Sequence, residues 1–426
     1  MRLGSYLTLL RENPAFARLY AAQLISFAGD WFATVALLGL ALDLTGLAGL
    51  AALVLVLQTG GFAVAAPVAG ILADRIDRRR LLIAADLARV PVALGFLLAR
   101  DAGTLWIAFA CVTLLAVGAA AFEPTSSAAL PNLVDRRRLP EANVLIGSAW
   151  GTMLAVGAGL GGLVAVALGR DVAFVINALT FAGSAWLIFG IRRPLQEARD
   201  AQGHHRQEAM LESLRLAVRF ARGSRLVTSF LLSKSTFGVG TGVVALLAVF
   251  GTSVFGAGDA GIGLLFAARG LGALVGPFLA RALVGTTNRG LLLGITASLG
   301  VLAGSYAVFP LAPGLGAASV LVFLAHCGGG SQWTLSTLGL QRATPDAIRG
   351  RLFSLDYGLV TLTIAASTML AGLLADAVAP SAAVWSMVAL IALAGLGWVV
   401  LSRPAWAEAR AHDAEAAVAA RDREDG

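Results

Sequence analysis

Long apolar runs, broken by short charged loops, set the pattern of this chain. Twelve such runs read as 17–42, 49–72, 81–100, 104–126, 143–168, 172–191, 226–254, 259–283, 290–310, 315–340, 353–377 and 381–401. Crossing a hydrocarbon core takes about 20 apolar residues, so each is of spanning length. Within lipid the backbone must satisfy its own hydrogen bonds, which leaves helices or a closed barrel. A barrel would need short alternating strands, and none are present. The prediction is an all-α integral membrane protein with twelve transmembrane helices.

The runs fall into two sets of six. The expected division is 1–191 for the first six-helix half, 192–225 for a linker, 226–402 for the second half and 403–426 for a tail. Two loops suggest duplication: Pro131 to Asn143 (PNLVDRRRLPEAN) and Gln341 to Leu352 (QRATPDAIRGRL) each follow the fourth span of their half. Parallel repeats of this kind place a substrate path between the halves, near the bilayer midplane. In the linker, Leu211, Leu214 and Val218 share one helical face, opposite Arg215, Arg219 and Arg222. That predicts an amphipathic helix over Met210 to Ala221, lying on the inner leaflet. Pro194 to Arg206 is polar, and the residues after Arg403 fit frayed helix or disorder.

Composition agrees with a membrane protein. Only 13% of the 426 residues are charged, 58% are hydrophobic, and mean hydropathy is +0.81. A soluble surface needs far more charge. Residues 1–16 are polar and mixed, so no cleavable signal peptide is expected. Cys111 and Cys327 both fall inside spans and imply no disulfide framework. A net charge of +7 would suit nucleic acid, but its placement argues against that partner. Of the 32 lysines and arginines, Arg89, Lys234 and Arg269 lie inside spans, and only Arg100 and Arg170 occupy loops on one side. The others share the side of both termini, which is therefore expected to be cytoplasmic, in a plasma (inner) membrane.

Several chemistries lack their residues. No phosphate-binding loop exists: Lys234 is the single lysine and follows Leu231, Leu232 and Ser233. Zinc-protease and nucleophile-elbow motifs are absent too, so no enzyme, cofactor or metal site is expected. His204 and His205 are adjacent, as in a solvated loop. Gly157 to Gly162 (GAGLGG) has dinucleotide-motif spacing but lies within a span rather than after a strand.

Gly70 to Leu81, GILADRIDRRRL, carries the most specific signal. It resembles the loop signature of the major facilitator superfamily, G-x-L-a-D-R-x-G-R-R-R. Gly70, Leu72, Asp74, Arg75, Arg78, Arg79 and Arg80 match, and Asp77 replaces the second glycine, as in the branch exporting drugs, siderophores and macrolides. The PNLV and PDAIRGR loops are similar to that branch as well. The resemblance implies the major facilitator fold, alternating access and export of small organic molecules driven by protons. Import or lipid flipping on the same fold is the alternative, and a non-transporting receptor or scaffold a more distant one. It further implies that Asp74 gates against the start of helix 11. Gly157, Gly161 and Gly162 resemble the helix-5 antiporter motif, although Ala158 replaces its proline; close packing explains the same glycines. Gly272 and Gly276 repeat that spacing. The arginine that relatives carry on helix 4 is missing from Ile107 to Thr125.

A charge at mid-bilayer costs about 2.5–3.5 kcal/mol on insertion scales, so each one needs a reason. Asp30 lies about thirteen residues into the first span, roughly 20 Å deep. Because the resemblance makes helix 1 cavity-lining, Asp30 is a candidate for proton coupling or for a cationic substrate, and a structural partner is the alternative. Lys234 is expected to pair with Asp30, bind an anionic group or snorkel. Arg269 is expected in an ion pair or a substrate contact. Asp86 and Arg89, three apart, fit a structural pair. Glu123 is placed near the end of helix 4, in a cap or gate, and Asp356 in a charge cluster with Arg349 and Arg351 or in a gate. On helix 10, His326 fits a proton relay or a packing hydrogen bond. Gln332 and Trp333 are candidate substrate contacts, Trp333 alternatively filling the helix interface.

Overall fold

The computed structural model describes residues 3–196, 210–285 and 287–424. The described residues are helical, with no strand among them. His204, His205 and most of the polar linker lie outside them.

Seven helices open the chain: α1 (Leu3–Glu12), α2 (Pro14–Thr45), α3 (Ala48–Arg75), α4 (Arg78–Gly95), α5 (Leu105–Leu133), α6 (Leu139–Leu168) and α7 (Arg170–Phe189). After the linker come α8 (Met210–Gly223), α9 (Arg225–Gly240), α10 (Gly242–Val249), α11 (Gly258–Val284), α12 (Asn288–Val308), α13 (Leu315–Ala343), α14 (Asp346–Ala377) and α15 (Pro380–Glu424). Eleven of the described segments are long and apolar enough to span a membrane, with α9 and α10 together forming one of them. α13 is the twelfth. Its 29 residues exceed the required length, but the Gly328 to Thr337 run dilutes its hydropathy. Ser331, Gln332 and Ser336 in that run are buried, so protein rather than lipid receives them.

Contacts divide the chain into two compact units. Unit 1 holds 1–204 and 245–270; unit 2 holds 205–244 and 271–426. In unit 1, α2 packs on α6 and α7, α4 on α5 and α7, and α3 on α5. In unit 2, α9 packs on α14 and α15, and α12 on α13 and α15. Counting helices from the start of each set of six, four of these pairings match, which is what a duplicated half would give.

Glycines permit the closest approaches. A methyl group at Gly161 would lie 2.8 Å from the Cα of Phe32 on α2, and one at Gly157 would lie 3.0 Å from the carbonyl of Ala28. On its other side α6 meets α11, where a methyl on Gly263 would lie 2.7 Å from the Ala158 carbonyl. In unit 2, methyl groups at Gly272 and Gly276 would collide with the carbonyls of Phe323 and Cys327 on α13. Small residues at such crossings let van der Waals packing hold helices together where lipid supplies no hydrophobic drive.

Local chemistry sets the helix ends. Asp77, the departure from the loop signature, caps α4: its side chain accepts the Arg80 N–H at 2.9 Å. Arg138 ties α6 to α1, binding Glu141 at 2.9 Å and the Ser5 carbonyl at 2.7 Å.

Two elements add detail to the sequence reading. The helix over Met210–Gly223 forms, but it sits on unit 2 through buried Ala217 and Ala221, while Leu214 is exposed. The tail after Arg403 continues α15 rather than fraying at once. Its acids cap two helices: Glu408 accepts the Leu226 N–H at 2.9 Å and the Ser224 hydroxyl at 2.5 Å, and Asp413 accepts the Asn288 N–H at 2.9 Å.

Gly276→Val should lower the melting temperature of the detergent-solubilised protein, since overpacking costs about 1–3 kcal/mol. Gly304→Ala, where a methyl meets open space, should not. Equal melting of both variants and wild type would mean the α11–α13 approach is not tight.

Candidate functional site

The interior of unit 1 gathers charge from three helices. Arg89 on α4 is buried, ion-pairs with Asp86 one turn earlier, and lies 3.7 Å from Asp30 on α2. It also donates to Ser26 of α2 at 3.2 Å. Its guanidinium sits 4.1 Å from the Phe181 ring centre and 5.4 Å from that of Phe122, a favourable cation–π placement in a desolvated setting. Glu123 on α5 is within electrostatic reach of Asp30 and Arg89. Two carboxylates therefore pair with one guanidinium, and a third, on α5, interacts with it at longer range. With every group ionised the cluster carries a formal charge of −2, which a dry interior does not tolerate without a further positive charge. Gly118 belongs to the same design, because a methyl there would lie 2.7 Å from the Arg89 stem.

These contacts revise the sequence reading. Asp30 is not isolated, and its partner is Arg89 rather than Lys234. Glu123 is not a helix-end cap; it lies well inside α5. Arg89, expected only to neutralise Asp86, also serves the position beside Asp30. The base missing from the fourth span is supplied by the third, while the fourth supplies an acid.

In unit 2, Lys234 is buried and ion-pairs with buried Asp356 on α14. The Lys234 ammonium lies 5.0 Å from the Trp333 ring centre and 5.7 Å from that of Phe353. Asp356 therefore joins this pair instead of the expected cluster with Arg349 and Arg351. Gln332 ties α13 to α9, donating to the Ser233 carbonyl at 2.5 Å and to Thr236 Oγ1 at 2.7 Å. Trp333 meets Phe237 edge-on. His326 is buried 2.8 Å from the Tyr306 hydroxyl, joining α13 to α12.

Arg269 lies in unit 1, on α11, in an aromatic frame. Its guanidinium is 5.9 Å from the Trp31 ring centre and 5.7 Å from those of Trp150 and Phe266. The loop-signature residues sit at the junction of α3 and α4. Gly70 and Asp74 occupy the end of α3, and Arg75 is its last residue. The Asp74 side chain is outside the described residues. Arg78 donates to the Ala128 carbonyl at 2.8 Å and to that of Leu195 at 3.3 Å. Arg79 donates to the Phe189 carbonyl.

One cluster escaped the sequence reading. Arg170, at the start of α7, holds Asp259 on α11 through Nε at 2.8 Å and Nη2 at 3.0 Å, and Asp43 on α2 at 2.8 Å. Gly39 leaves the space this pairing needs, since any side chain there would strike Asp259. The signal was available: Asp43 and Asp259 both stand at span ends on the side where the sequence leaves only Arg100 and Arg170 as bases.

Residues 5–422 match the family described as transmembrane secretion effector. The chain belongs to this transporter family of the major facilitator superfamily. Relatives include "Putative bacilysin exporter BacE" of Bacillus amyloliquefaciens, 26% identical over 87% of this chain and 90% of that protein. "Uncharacterized MFS-type transporter YfiS" of Bacillus subtilis is 26% identical, and the match spans 53% of its length and 53% of this chain. Among solved structures, a bacterial homologue of the human lysosomal transporter Spinster, inward-facing and occupied, has TM-score 0.71 at 14% identity, covering 92% of this chain and 97% of that one. A peptide-bound POT family transporter has TM-score 0.72 at 12% identity, covering 91% and 96%. These likenesses are to the fold. The protein is a multi-pass membrane transporter rather than an enzyme, and it handles a small-molecule substrate within a lipid bilayer.

Lys234→Met should strongly destabilise the transporter, because Asp356 would remain as an uncompensated buried charge; such losses run about 3–5 kcal/mol. Lys234→Met with Asp356→Leu should recover most of that loss in thermal melts. A double variant no better than the single would show that the pair is not the coupled unit described.

Proposed function

We propose that this transporter exports small organic molecules, drug-like or siderophore-like, in exchange for protons. The observation that carries the reading is the excess of carboxylates over bases around Arg89. Asp30 and Asp86 pair with the one guanidinium and Glu123 lies within electrostatic reach of it, so a proton or another cation would balance the cluster. A proton is the smallest balancing charge, and its arrival or departure changes the electrostatics of α2, α4 and α5 together. Asp86 is the most deeply buried acid and is paired with Arg89. Asp30 and Glu123 are half-buried and are the groups assigned to exchange the proton.

Outward transport is supported by the secretion description of the family and by the exporter names among relatives. Arg269, beside the exposed ring of Trp150, is the candidate contact for an organic substrate, with buried Trp31 and Phe266 holding it in place. The distribution of arginines supports cytoplasmic termini in a plasma membrane.

The test is flux of a substrate panel into inside-out vesicles, with and without an inward-acidic pH gradient. Wild type should accumulate a substrate only with the gradient. Asp30→Asn and Glu123→Gln should each abolish gradient-driven accumulation while retaining downhill exchange. A well-expressed Asp30→Asn, Glu123→Gln protein with unchanged gradient-driven transport would remove the cluster from coupling. Topology is read separately: single cysteines at Ala102 and Gln202, in a background without Cys111 and Cys327, should react with an impermeant thiol reagent from opposite sides.

A further inference from the structure

We propose that unit 1 carries a binding site for the phosphodiester headgroup of an anionic phospholipid, at the rim where α4 begins and α7 ends. A cavity of about 650 Å³ opens there, lined by Asp77, Arg79, Arg80, Phe189, Arg192 and Arg193 among others. Among the described residues of the lining, four arginines face one aspartate, giving those residues a formal charge of +3 on a concave surface.

The lining divides into groups with structural work and groups without it. Arg79 donates to the Phe189 carbonyl and stacks 5.3 Å from the Phe189 ring centre, closing the end of α7. Arg193 donates to the Leu133 carbonyl at 3.3 Å. Asp77, the one acid among the described lining residues, is engaged as the α4 cap through the Arg80 N–H. The Arg80 and Arg192 side chains differ: both residues are exposed, and neither side chain has a hydrogen bond or ion pair among the described residues. Two guanidinium forks are thus available where the one acid is already in use. A guanidinium presents paired N–H donors that match phosphate oxygens, and the positive end of the α4 dipole adds to the attraction.

The surroundings favour a lipid over a soluble anion. Phe189, in the cavity wall, is 66% exposed, and Trp186, three residues earlier on α7, is 74% exposed. Leu179, two turns further along, is also exposed. In a membrane-spanning helix these side chains face acyl chains, and tryptophan favours the headgroup level. A phosphodiester in the cavity would lay its chains along this face. Basic pockets between spans at a membrane surface suit such headgroups. The inference stands apart from the proton-coupling proposal and concerns none of its residues.

The experiment uses the full-length transporter, wild type and Arg80→Gln with Arg192→Gln, and measures retained lipid by native mass spectrometry. Probes are dioleoyl phosphatidylglycerol, dioleoyl phosphatidylcholine and inorganic phosphate. Wild type should retain phosphatidylglycerol about tenfold better than phosphatidylcholine. The double variant should lose that preference while melting as wild type does in phosphatidylcholine. Unchanged preference in the variant would overturn the site. Release of phosphatidylglycerol by millimolar phosphate alone would overturn the lipid assignment in favour of a soluble anion. If the double variant does not fold, each single variant is compared in the same way; loss of preference in either supports the site, and its retention in both overturns it.

Discussion

A guanidinium buried between two phenylalanine rings is the charge on which the interior of unit 1 depends. Arg89 joins the first, third and fourth spans of that unit through Asp30, Asp86, Ser26 and Phe122, and touches the sixth through Phe181. Without it, fully buried Asp86 would have no compensating charge, and half-buried Asp30 would lose its nearest base. With it, one negative charge is offset directly and the other two are held close. On the proposed function, that residual imbalance is what lets the cluster take up a proton. A fully neutral network would be stable but would have no reason to take up a proton.

Charge placement is expensive in lipid, so the remaining architecture relies on contacts that need none. Glycine faces let α6 lie against α2 and α11, and let α11 lie against α13, with backbone almost touching backbone. Such packing holds helices together by dispersion and shape. Polar chemistry also closes helix ends, where Asp77, Glu408 and Asp413 supply oxygens to orphan N–H groups. Capping also accounts for the departure at Asp77: α4 begins at the next residue, and an N-cap acid serves there better than glycine.

Much of the fold was legible because bilayer thickness imposes run lengths that survive any ambiguity of side-chain detail. The twelve spans, the all-helical class and the Gly70–Leu81 loop signature were each readable from local sequence. α8 was readable as a helix, but the face it buries was not. Leu211, Leu214 and Val218 form the more hydrophobic stripe, whereas small Ala217 and Ala221 are what fit against α14. Hydrophobicity alone does not encode that fit. The candidate site was only partly legible for a similar reason. Depth along a helix can be counted, so Asp30, Lys234 and Arg269 stood out. Rotational facing and neighbour identity cannot be counted, so Asp30 was offered Lys234 as a partner and Glu123 was placed too close to the end of its helix. The Arg170–Asp43–Asp259 cluster was missed because span-end charges cost little and attract no notice singly. Its meaning lies in three distant segments meeting above Gly39.

The two halves share a packing pattern but differ in charge balance. At the first helix of its set, unit 2 places Lys234 against one acid, Asp356, with Trp333 and Phe353 beside it. That pair is formally neutral and already closed. At the first helix of the other set, unit 1 places Asp30 in a group with two more acids and one base. The shared packing pattern is thus combined with unlike charge balance: one unit holds a closed ion pair, and the other holds more acids than bases. On the proposed function this asymmetry confines the proton to unit 1, because a closed ion pair gains nothing by binding it. Unit 2 is then left to hold its helices in register, through the Lys234 pair and the Gln332 bridge between α13 and α9.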